Sequence, residues 1–380
     1  MRKISLALQR AERCSYKGCF MKIKALKMNE LVFIEVLDNL AVVEDQDVAR
    51  ERRRLRANIF NPLELSDFQF IQMFRLNKDL FDYLKNMIEP YMRPQLRNTD
   101  LSISTRIYTA LRFYATGSYQ MDIGHNQYIG VSQPSVSRSV GEVTDAINTP
   151  EVFNRWIKFP RNLEELNACR LRFFQKFNFP GVIGCIDCTH VAIFPPNIEH
   201  PQYPEYVYIN RKGFHSINVQ IITDADMRII NINARYPGTD HKDYYLLGDS
   251  GYPLRSYLMT PIEQEPIPNT PEHRYNLAHR TTRSIIERVN GVLKMRFRCL
   301  TKHRSLHYAP EVACRIINAC ALLHNLCIEF NIPVPEDEEV DEIDLIIGDE
   351  HNLVDEDNIR RINPDLAEGR LARRRLIQHF

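Results

Sequence analysis

The sequence predicts an α/β protein: a helical N-terminal region, then a mixed β-sheet flanked by helices, then an acidic disordered tail. Apolar residues recur at helical spacing between residues 66 and 147, as expected for helices with one buried face. From residue 179 the pattern changes to short apolar runs rich in β-branched residues, which is typical of buried strands. Residues 336–357 hold twelve Asp and Glu and no Lys or Arg, a composition that favours disorder.

These changes of pattern divide the chain into four regions. Residues 1–50 are an N-terminal extension in which no period dominates, and residues 51–160 are predicted to be a helical DNA-binding region. Residues 161–332 are predicted to form the sheet-containing domain, and 333–380 a tail that is first acidic and then basic. The formal net charge is only +1, so the acidic tail leaves the rest of the chain basic. A basic body is typical of nucleic-acid binders, although many solvated surfaces share this composition.

The helical region predicts three successive helical segments. Apolar residues recur at helical spacing from Phe68 to Ile88, and Pro90 stops the pattern. The stretch LSISTRIYTALRFYATGSY, residues 101–119, predicts a buried helix. Residues 128–147 predict a turn followed by a further helix. This order of helices is compatible with a small DNA-binding domain and equally with ordinary helical packing.

The third segment has the features of a helix-turn-helix. Gly130 lies in the turn, Ser132 is the expected N-cap, and Pro134 falls in the first helical turn, where its missing N–H costs little. Polar side chains at the start of this helix suit a recognition helix in the major groove, although ordinary helical hairpins show the same pattern. The residues predicted to contact DNA here are Gln133, Ser135 and Arg138.

The second half of the chain predicts four strands and then two helices. The first strand lies within GVIGCIDCTHVAIFPP and ends at Pro195-Pro196. SINVQIITDADM and RIININ predict the next two strands, and YYLLG predicts a fourth that leads into Asp249. Helical periodicity returns at Thr281–Phe297 and Val312–Phe330. Residues 333–358 are predicted to be disordered, with a short basic helix after them.

The nine cysteines form an odd-numbered set without a disulfide-framework spacing, so we expect reduced thiols. Cys185 and Cys188 make a C-x-x-C motif, which raises redox or zinc chemistry. They lie in an apolar, strand-like run without a second pair of ligands downstream. Structural cysteines are therefore the favoured interpretation.

Three acidic residues carry the predicted chemistry. Asp187 lies within an apolar strand, Asp249 follows another strand, and Glu287 lies on a helix. A buried carboxylate is costly unless it is paired or binds a cation, and three converging carboxylates repel each other. Two Mg²⁺ ions about 3.5–4 Å apart resolve that repulsion, activate water and stabilise a leaving oxygen. Each residue also has a structural explanation: local hydrogen bonds for Asp187, the DSGYP turn for Asp249, and an i,i+4 ion pair for Glu287.

Basic residues follow Glu287 on the same predicted helix. A phosphodiester backbone is bound by guanidinium and ammonium groups, and a cluster beside a carboxylate site suits that substrate. The residues of this cluster predicted to contact DNA are Arg288, Lys294 and Arg296.

Six sequence blocks are similar to the signature motifs of a known protein family. They are GVIGCIDCTHVAIFPP, YINRKGFHS, YPGTDH, LLGDSGYPLRSYLMTP, RYNLAH and IIERVNGVLKMRFRCL. Within the stretch 60–332, they resemble the successive signature blocks of the Harbinger transposase-derived nucleases, a family of DDE endonucleases. The resemblance implies a ribonuclease H-like fold with Asp187, Asp249 and Glu287 as catalytic and metal-binding residues. It also implies a divalent cation, Mg²⁺ or Mn²⁺, and places Arg211 and Lys212 against the substrate backbone.

The same resemblance implies partners and a location. It implies DNA as substrate, a separate Myb/SANT-like DNA-binding protein as partner, and a nuclear protein that also occurs in the cytoplasm. A homo-oligomer is a further expectation. No run of eighteen apolar residues occurs, so no membrane association is expected.

The chain departs from the family pattern between the third and fourth strands. Only His241-Lys242-Asp243 separates YPGTD from YYLLG, where family members carry a helix that opens on H-D-S. In a ribonuclease H-like sheet the third strand lies at one edge and the fourth lies beyond the first, so the connection crosses two strands, about 10 Å. Such a crossover usually takes a dozen or more residues with a covering helix. We expect Asp243 or Asp240 as the only substitutes for the family's additional aspartate.

Three functional hypotheses follow. The first is a metal-dependent DNA endonuclease that uses Asp187, Asp249 and Glu287. The second is a catalytically inactive DNA-binding or scaffold protein, or a truncated splice variant of the nuclease, because a segment near 241–243 is missing. The third is a metal-dependent phosphatase, which would share the carboxylates but leaves the helix-turn-helix-like segment and the basic cluster unexplained.

Overall fold

The computed structural model describes residues 59–97, 100–196, 204–232, 244–335 and 364–380. The predicted N-terminal extension, the predicted acidic disordered stretch and the shortened connection with Asp243 lie outside the described residues.

The chain divides into two compact units. The smaller comprises Met1–Asn61 and Gly124–Ser132, and the larger comprises Pro62–Ile123 and Gln133–Phe380. In the smaller unit the described residues form a tight turn, in which the Val131 amide donates to the Gly124 carbonyl at 2.9 Å. Helices on both sides of the predicted boundary at residue 160 belong to the larger unit.

Seven helices precede the sheet in the part of the chain that the structure describes. They are α1 (Asp67–Phe74), α2 (Lys78–Ile88), α3 (Ile103–Thr116), α4 (Gln120–Gly124), α5 (Gln133–Ile147), α6 (Pro150–Trp156) and α7 (Leu163–Phe177). The single period from Phe68 to Ile88 hides a break, because Arg75 ends α1 in the left-handed conformation with φ 64°. The side chain of Asn77 then caps α2 by accepting a hydrogen bond from the Leu80 amide. α7 has no counterpart among the predicted elements.

In the described part of the chain the strands are β1 (Val182–Ala192), β2 (Ser216–Thr223), β3 (Ile229–Ile232), β4 (Tyr245–Leu247) and β5 (Leu258–Met259). These five form one mixed sheet in the order β3-β2-β1-β4-β5. β1 is antiparallel to β2 and β2 to β3, whereas β4 is parallel to β1 and β5 to β4. β3 therefore lies at one edge and β4 lies beyond β1. The four predicted strands are present, and β5 is too short to predict from periodicity.

Helices cover the two sides of the central strand. Leu166 of α7 packs in an apolar cluster with Ile186, Ile222 and Leu246. The next residue of β1, Asp187, points the other way, since successive side chains of a strand alternate. That side is covered by α8 (Pro271–Arg296), which starts earlier than the predicted Thr281, with Thr270 as N-cap and Pro271 in the first turn.

The second predicted C-terminal helix is the core helix α9 (Pro310–Glu329). It has the length and mean hydropathy that a membrane span needs, but 67% of its most apolar window is buried inside the protein. It also closes one edge of the sheet. The Asn325 amide donates to the Ile229 carbonyl at 2.7 Å and accepts from the Ile229 amide at 2.8 Å. α9 is therefore a core helix that satisfies the backbone of the edge strand β3.

The chain ends in α10 (Pro364–Ile377), the short basic helix that the sequence predicts. The expectation that it belongs to a tail is wrong, because it packs near the other edge of the sheet. Arg373 donates to the carbonyls of Thr260 and Pro261 at 3.3 and 3.1 Å, just beyond β5. The ring of Phe380 packs edge-on against Tyr275, 5.7 Å between centroids. Although α10 is rich in arginine, it therefore packs against the rest of the protein as a structural helix.

Replacing Leu376 by Ala tests the structural role of α10. Leu376 is 3% exposed, so the substitution should lower the free energy of unfolding by about 2–5 kcal/mol. Leu371→Ala, on the same helix at 49% exposure, is the matched control and should change it by less than about 1 kcal/mol. Urea unfolding followed by circular dichroism measures both. Equal, small effects would mean that α10 is not part of the cooperative fold.

Candidate active site

Asp187 lies in the middle of β1, the central strand, and is 5% exposed. Two side chains of α8 hold its carboxylate. Arg283 Nη2 donates to Oδ1 at 3.1 Å, and Asn290 Nδ2 donates to Oδ2 at 3.0 Å. Burial is possible because both carboxylate oxygens have a donor.

Asp249 lies two residues beyond β4, which runs parallel to β1. Because Leu247 is paired with Cys185, the parallel register brings Asp249 level with Asp187. Its Oδ1 accepts the Gly251 amide at 3.0 Å, and its Oδ2 lies 3.7 Å from Arg283 Nη2. The turn bond expected from DSGYP is therefore present, and so is the approach to Asp187.

Glu287 lies one helical turn after Arg283 on α8. Arg283 Nη1 donates to its Oε1 at 2.6 Å, an i,i+4 ion pair, and the Glu287 side chain is 51% exposed. The guanidinium of Arg283 thus contacts all three predicted carboxylates, while its own side chain is only 9% exposed. The structure brings Asp187, Asp249 and Glu287 together around one cation.

Burial and repulsion act on the protonation of Asp187. Burial raises the pKa of its carboxyl to about 6, Arg283 opposes that rise, and the charges of Asp249 and Glu287 add to it. The carboxylate of Asp187 is thus the costly member of the three. A further cation at this place would favour its charged form.

The three carboxylates suit a hard divalent cation in donor type, because Mg²⁺ and Mn²⁺ prefer carboxylate oxygens. Within the residues that the structure describes, no three His, Cys, Asp or Glu side chains group closely enough to hold one ion. Arg283 pairs with all three carboxylates, so they converge on its guanidinium. The residues fit the metal in chemistry and convergence, and holding it requires the guanidinium to give up contacts.

Sequence reasoning missed Arg283 and Asn290. Together with Glu287 they occupy positions i, i+4 and i+7 of α8, which share one face of a helix. A polar stripe on a helix that otherwise buries Ile285, Ile286 and Val289 is the signal that could have found them.

Beyond Asp187, cations surround the last part of β1. Lys294, Arg211 and Lys212 all lie close enough to lower the pKa of His190, although burial of the ring is the largest cause. Arg211 and Lys212 are exposed, as their predicted contact with a phosphate backbone requires. Arg288, next to Glu287, is exposed as well.

Two residues of the predicted DNA-binding cluster are buried, so direct contact is wrong for them. Lys294 is 7% exposed and donates to the His190 carbonyl at 3.2 Å. Arg296 is 2% exposed and donates to the carbonyls of Ile332 and Pro333 at 2.6 and 3.1 Å. A basic run on a helix has an inner and an outer face, and only Arg288 lies outward.

The predicted recognition helix is α5, and its three predicted DNA contacts differ in exposure. Gln133 is exposed and donates to Gln120 Oε1 at 2.7 Å. Arg138 is also exposed, and it donates to Ser135 Oγ at 3.3 Å. Ser135 itself is 9% exposed and faces inward, so its predicted direct contact with DNA is wrong.

The C-x-x-C cysteines contact different partners. Cys185 Sγ lies 3.6 Å from the Thr282 carbonyl of α8, whereas Cys188 Sγ lies 3.2 Å from the Tyr252 hydroxyl. Residues three apart on a strand point to opposite faces, so the two thiols cannot share a ligand. Both are free and serve packing, as the sequence indicates.

Comparisons with known proteins fit this geometry. The family model of the DDE superfamily endonucleases matches residues 186–243 and 239–325. "Putative nuclease HARBI1" of Homo sapiens is 36% identical over 293 residues, 71% of this chain and 80% of that protein. Its Xenopus laevis counterpart is 33% identical over 293 residues, 71% of this chain and 81% of that protein. "Protein ALP1-like" of Arabidopsis thaliana is 23% identical over 339 residues, covering 79% and 77%. No solved structure matches the chain.

The pH dependence of stability tests the burial of Asp187. Its folded pKa of about 6 exceeds the ordinary 3.8, so its favourable contribution is complete below about pH 4 and is lost as pH rises through 6. In the presence of a chelator, the free energy of unfolding of Asp187→Asn should therefore exceed that of the wild type by up to about 3 kcal/mol at pH 7.5. The two values should be equal near pH 4.

The matched control for that experiment is Asp226→Asn. Arg172 lowers the pKa of Asp226 to about 2, so its contribution is already complete above pH 4. Loss of this pair should lower stability by the same amount at every pH between 4 and 7.5. Chemical unfolding across this range measures both variants. A pH-independent difference for Asp187→Asn would contradict the assignment of the raised pKa.

Arg296→Met tests the corrected role of Arg296. The change keeps an apolar stem but leaves the buried Ile332 carbonyl and the exposed Pro333 carbonyl without their donor, so we expect a loss of about 1–3 kcal/mol in the free energy of unfolding. Arg288→Met, exposed on the same helix, should leave stability within about 0.5 kcal/mol. Thermal and urea unfolding measure both variants. Equal effects on stability would contradict the buried, structural role of Arg296.

Proposed function

This chain belongs to the Harbinger transposase-derived nuclease family of DDE superfamily endonucleases, and we propose that it is a divalent-metal-dependent DNA endonuclease. One observation carries the proposal: Asp187, Asp249 and Glu287 all contact the same guanidinium. Three elements that are distant in sequence, β1, the end of β4 and α8, supply these carboxylates. Carboxylates converging on one cation position are the ligand set of metal-dependent phosphodiester hydrolysis.

The strand arrangement supports a ribonuclease H-like fold for this nuclease. Such a sheet has its third strand at one edge and its fourth beyond the first, and the order β3-β2-β1-β4-β5 has the same arrangement. In this fold the first carboxylate belongs on the central strand, which is where Asp187 lies.

In the proposed mechanism Asp187, Asp249 and Glu287 hold the divalent cation. When bound, the cation activates a water or a 3′-hydroxyl and stabilises the leaving oxygen of the phosphodiester. Asn290 orients Asp187 by donating to Oδ2, while Oδ1 accepts from Arg283. Glu287 is the most exposed carboxylate of the three, so it would be the one most accessible to a substrate in solution.

Arg283 holds the site together before the cation arrives. Its guanidinium offsets the repulsion between the carboxylates, which would otherwise push Glu287 and Asp249 towards solvent. With a cation held by the carboxylates, the guanidinium would be released from one or more of these contacts and could donate to a phosphate oxygen of the substrate. Arg forms bidentate contacts with phosphate readily, so the residue has a role in both states.

DNA is the proposed substrate because exposed cations lie near two of the site's elements. Arg211 and Lys212 are exposed and lie near His190, three residues along β1 from Asp187, and Arg288 is exposed next to Glu287. These side chains would bind the phosphate backbone without reading sequence. Gln133 and Arg138 at the start of α5 are the proposed base contacts of a helix-turn-helix. Relatives named as nucleases do not favour the catalytically inactive alternative.

Cleavage of supercoiled plasmid in Mg²⁺ or Mn²⁺ tests the proposal. We expect nicked or linear product from the wild type and at least ~100-fold less from Asp187→Asn, Asp249→Asn and Glu287→Gln. Loss of residues that only orient metal ligands already costs ~10–100-fold, so loss of a ligand costs at least as much. Asp226→Asn, which removes a surface carboxylate paired with Arg172, is the matched control and should cleave normally.

A second arm separates a disabled nuclease from a wrong assignment. It inserts a family-like H-D-S helix after His241 and repeats the assay with and without Asp187→Asn. Cleavage only by the insertion variant, lost with Asp187→Asn, means that the three carboxylates are functional and that the short connection limits this chain. No metal-dependent cleavage by either protein, with DNA binding intact, overturns the endonuclease proposal.

A further inference from the structure

A cavity of about 710 Å³ lies away from the three carboxylates, between the segment 117–122 and the segment 303–308. Its wall carries aromatic rings and a hydrogen-bonded polar chain. Gln133 donates to Gln120 at 2.7 Å, and Gln120 donates to the Tyr308 hydroxyl at 2.8 Å. The first residue of α5 is thus tied to the floor of the cavity.

Three exposed rings form a row: Tyr119 and His307 line the cavity, and Phe194 continues the row beside His307. The His307 ring stacks on Phe194 at 5.1 Å with 27° between planes, and it meets Tyr119 at 6.2 Å. Tyr119 is 71% exposed and Phe194 56% exposed. Single exposed aromatics are common on protein surfaces, but a continuous row of rings beside a cavity marks a binding surface.

The surroundings of this row are basic. Lys302, His303 and Arg304 form a short helix at the start of the segment 303–308, and all three are exposed. The Lys302 ammonium lies over the Phe214 ring at 5.0 Å. Among the residues that line the cavity, Asp122 is the only acid. Rings with cations beside them are the features with which proteins bind unpaired nucleotides: bases stack on the rings and phosphates pair with the cations.

The row is joined rigidly to the strand that carries Asp187. The Phe194 amide donates to the Leu306 carbonyl, and the Leu306 amide to the Ala192 carbonyl, both at 2.9 Å. Phe194 lies seven residues after Asp187 and two beyond the end of β1, so the chain between them spans at most roughly 23 Å at about 3.3 Å per residue. That span is about seven nucleotides at ~3.4 Å per step of a DNA strand. His190, with Lys294, Arg211 and Lys212 near it, lies between the two positions.

We propose that the row Tyr119, His307 and Phe194, with the cavity beside it, binds unpaired bases of a DNA strand whose backbone continues to Asp187. The inference rests on the proposed endonuclease function and adds a substrate class, namely DNA with a single-stranded segment about seven nucleotides from the reacting phosphate. The rings hold the bases by stacking, and Lys302 and Arg304 hold the flanking phosphates.

Binding without cleavage tests this inference. The full chain carrying Asp187→Asn is titrated in chelator with two fluorescent DNAs: a duplex with a ten-nucleotide single-stranded extension, and a blunt duplex of equal charge. Tyr119→Ala and Phe194→Ala should each weaken binding of the extended DNA about 10-fold and of the blunt DNA less than 2-fold. Tyr119→Phe keeps a ring and should bind as its parent does.

Phe68→Ala is the matched control, because Phe68 is 72% exposed on α1, and it should leave both affinities unchanged. A 2-aminopurine in the extension reports stacking directly: its fluorescence should fall on binding, and this fall should disappear in Phe194→Ala. Circular dichroism confirms that each variant is folded.

Three results overturn the inference: equal loss for both DNAs, no loss for either, or unchanged 2-aminopurine fluorescence on binding. Unchanged DNA binding by both Ala variants would assign the rings to a protein partner instead. Failure of the nuclease proposal is distinguishable, because it appears as no metal-dependent cleavage by the wild type while the extended DNA still binds through the rings.

Discussion

The ion pair between Asp187 and Arg283 is the interaction on which the rest of the site depends. A carboxylate at the centre of a sheet, 5% exposed, is tolerated only with full hydrogen bonding and a counter-charge. Arg283 and Asn290 supply both from a single helix. Removing Arg283 would leave the Asp187 carboxylate buried without its counter-charge, so the pair holds β1 and α8 in one relative register. Glu287, one turn along α8, takes its position from the same constraint.

Hydrogen bonds fix the position of α8 at both of its ends, and this also fixes the position of the site residues that α8 carries. Near its start Tyr275 donates to the Thr260 carbonyl at 3.0 Å, and the buried His279 contacts the Met259 carbonyl at 3.2 Å. At its end Arg296 binds two carbonyls of the chain that leaves α9. α9 and α10 satisfy backbone groups at β3 and just beyond β5. The helix therefore cannot slide along the sheet without breaking bonds at several places.

The sequence identified charged residues that interrupt an otherwise apolar strand or helix pattern. Asp187 in an apolar strand and Glu287 on an amphipathic helix stand out because each contradicts its surroundings, and their convergence followed from element order. The sequence could not predict which side chains of a charged run are exposed and which are buried. Arg288 and Arg296 differ by eight residues on one helix, and only tertiary packing makes one exposed and the other 2% exposed. The basic α10 was misjudged for the same reason, because composition suggested solvent where Leu376 and Phe380 find packing partners.

Charge sets a limit on what the site can hold. Three carboxylates and one guanidinium leave a net charge of −2 in a partly buried place, with the cost falling on Asp187, whose pKa rises to about 6. One divalent cation would neutralise that charge while Arg283 stays in the site with fewer contacts. A second divalent cation would leave an excess of two positive charges, which only an anionic substrate can offset. A site of this composition is therefore suited to take its first cation alone and its second together with a phosphodiester. Arg283 would then act on both substrate affinity and metal affinity.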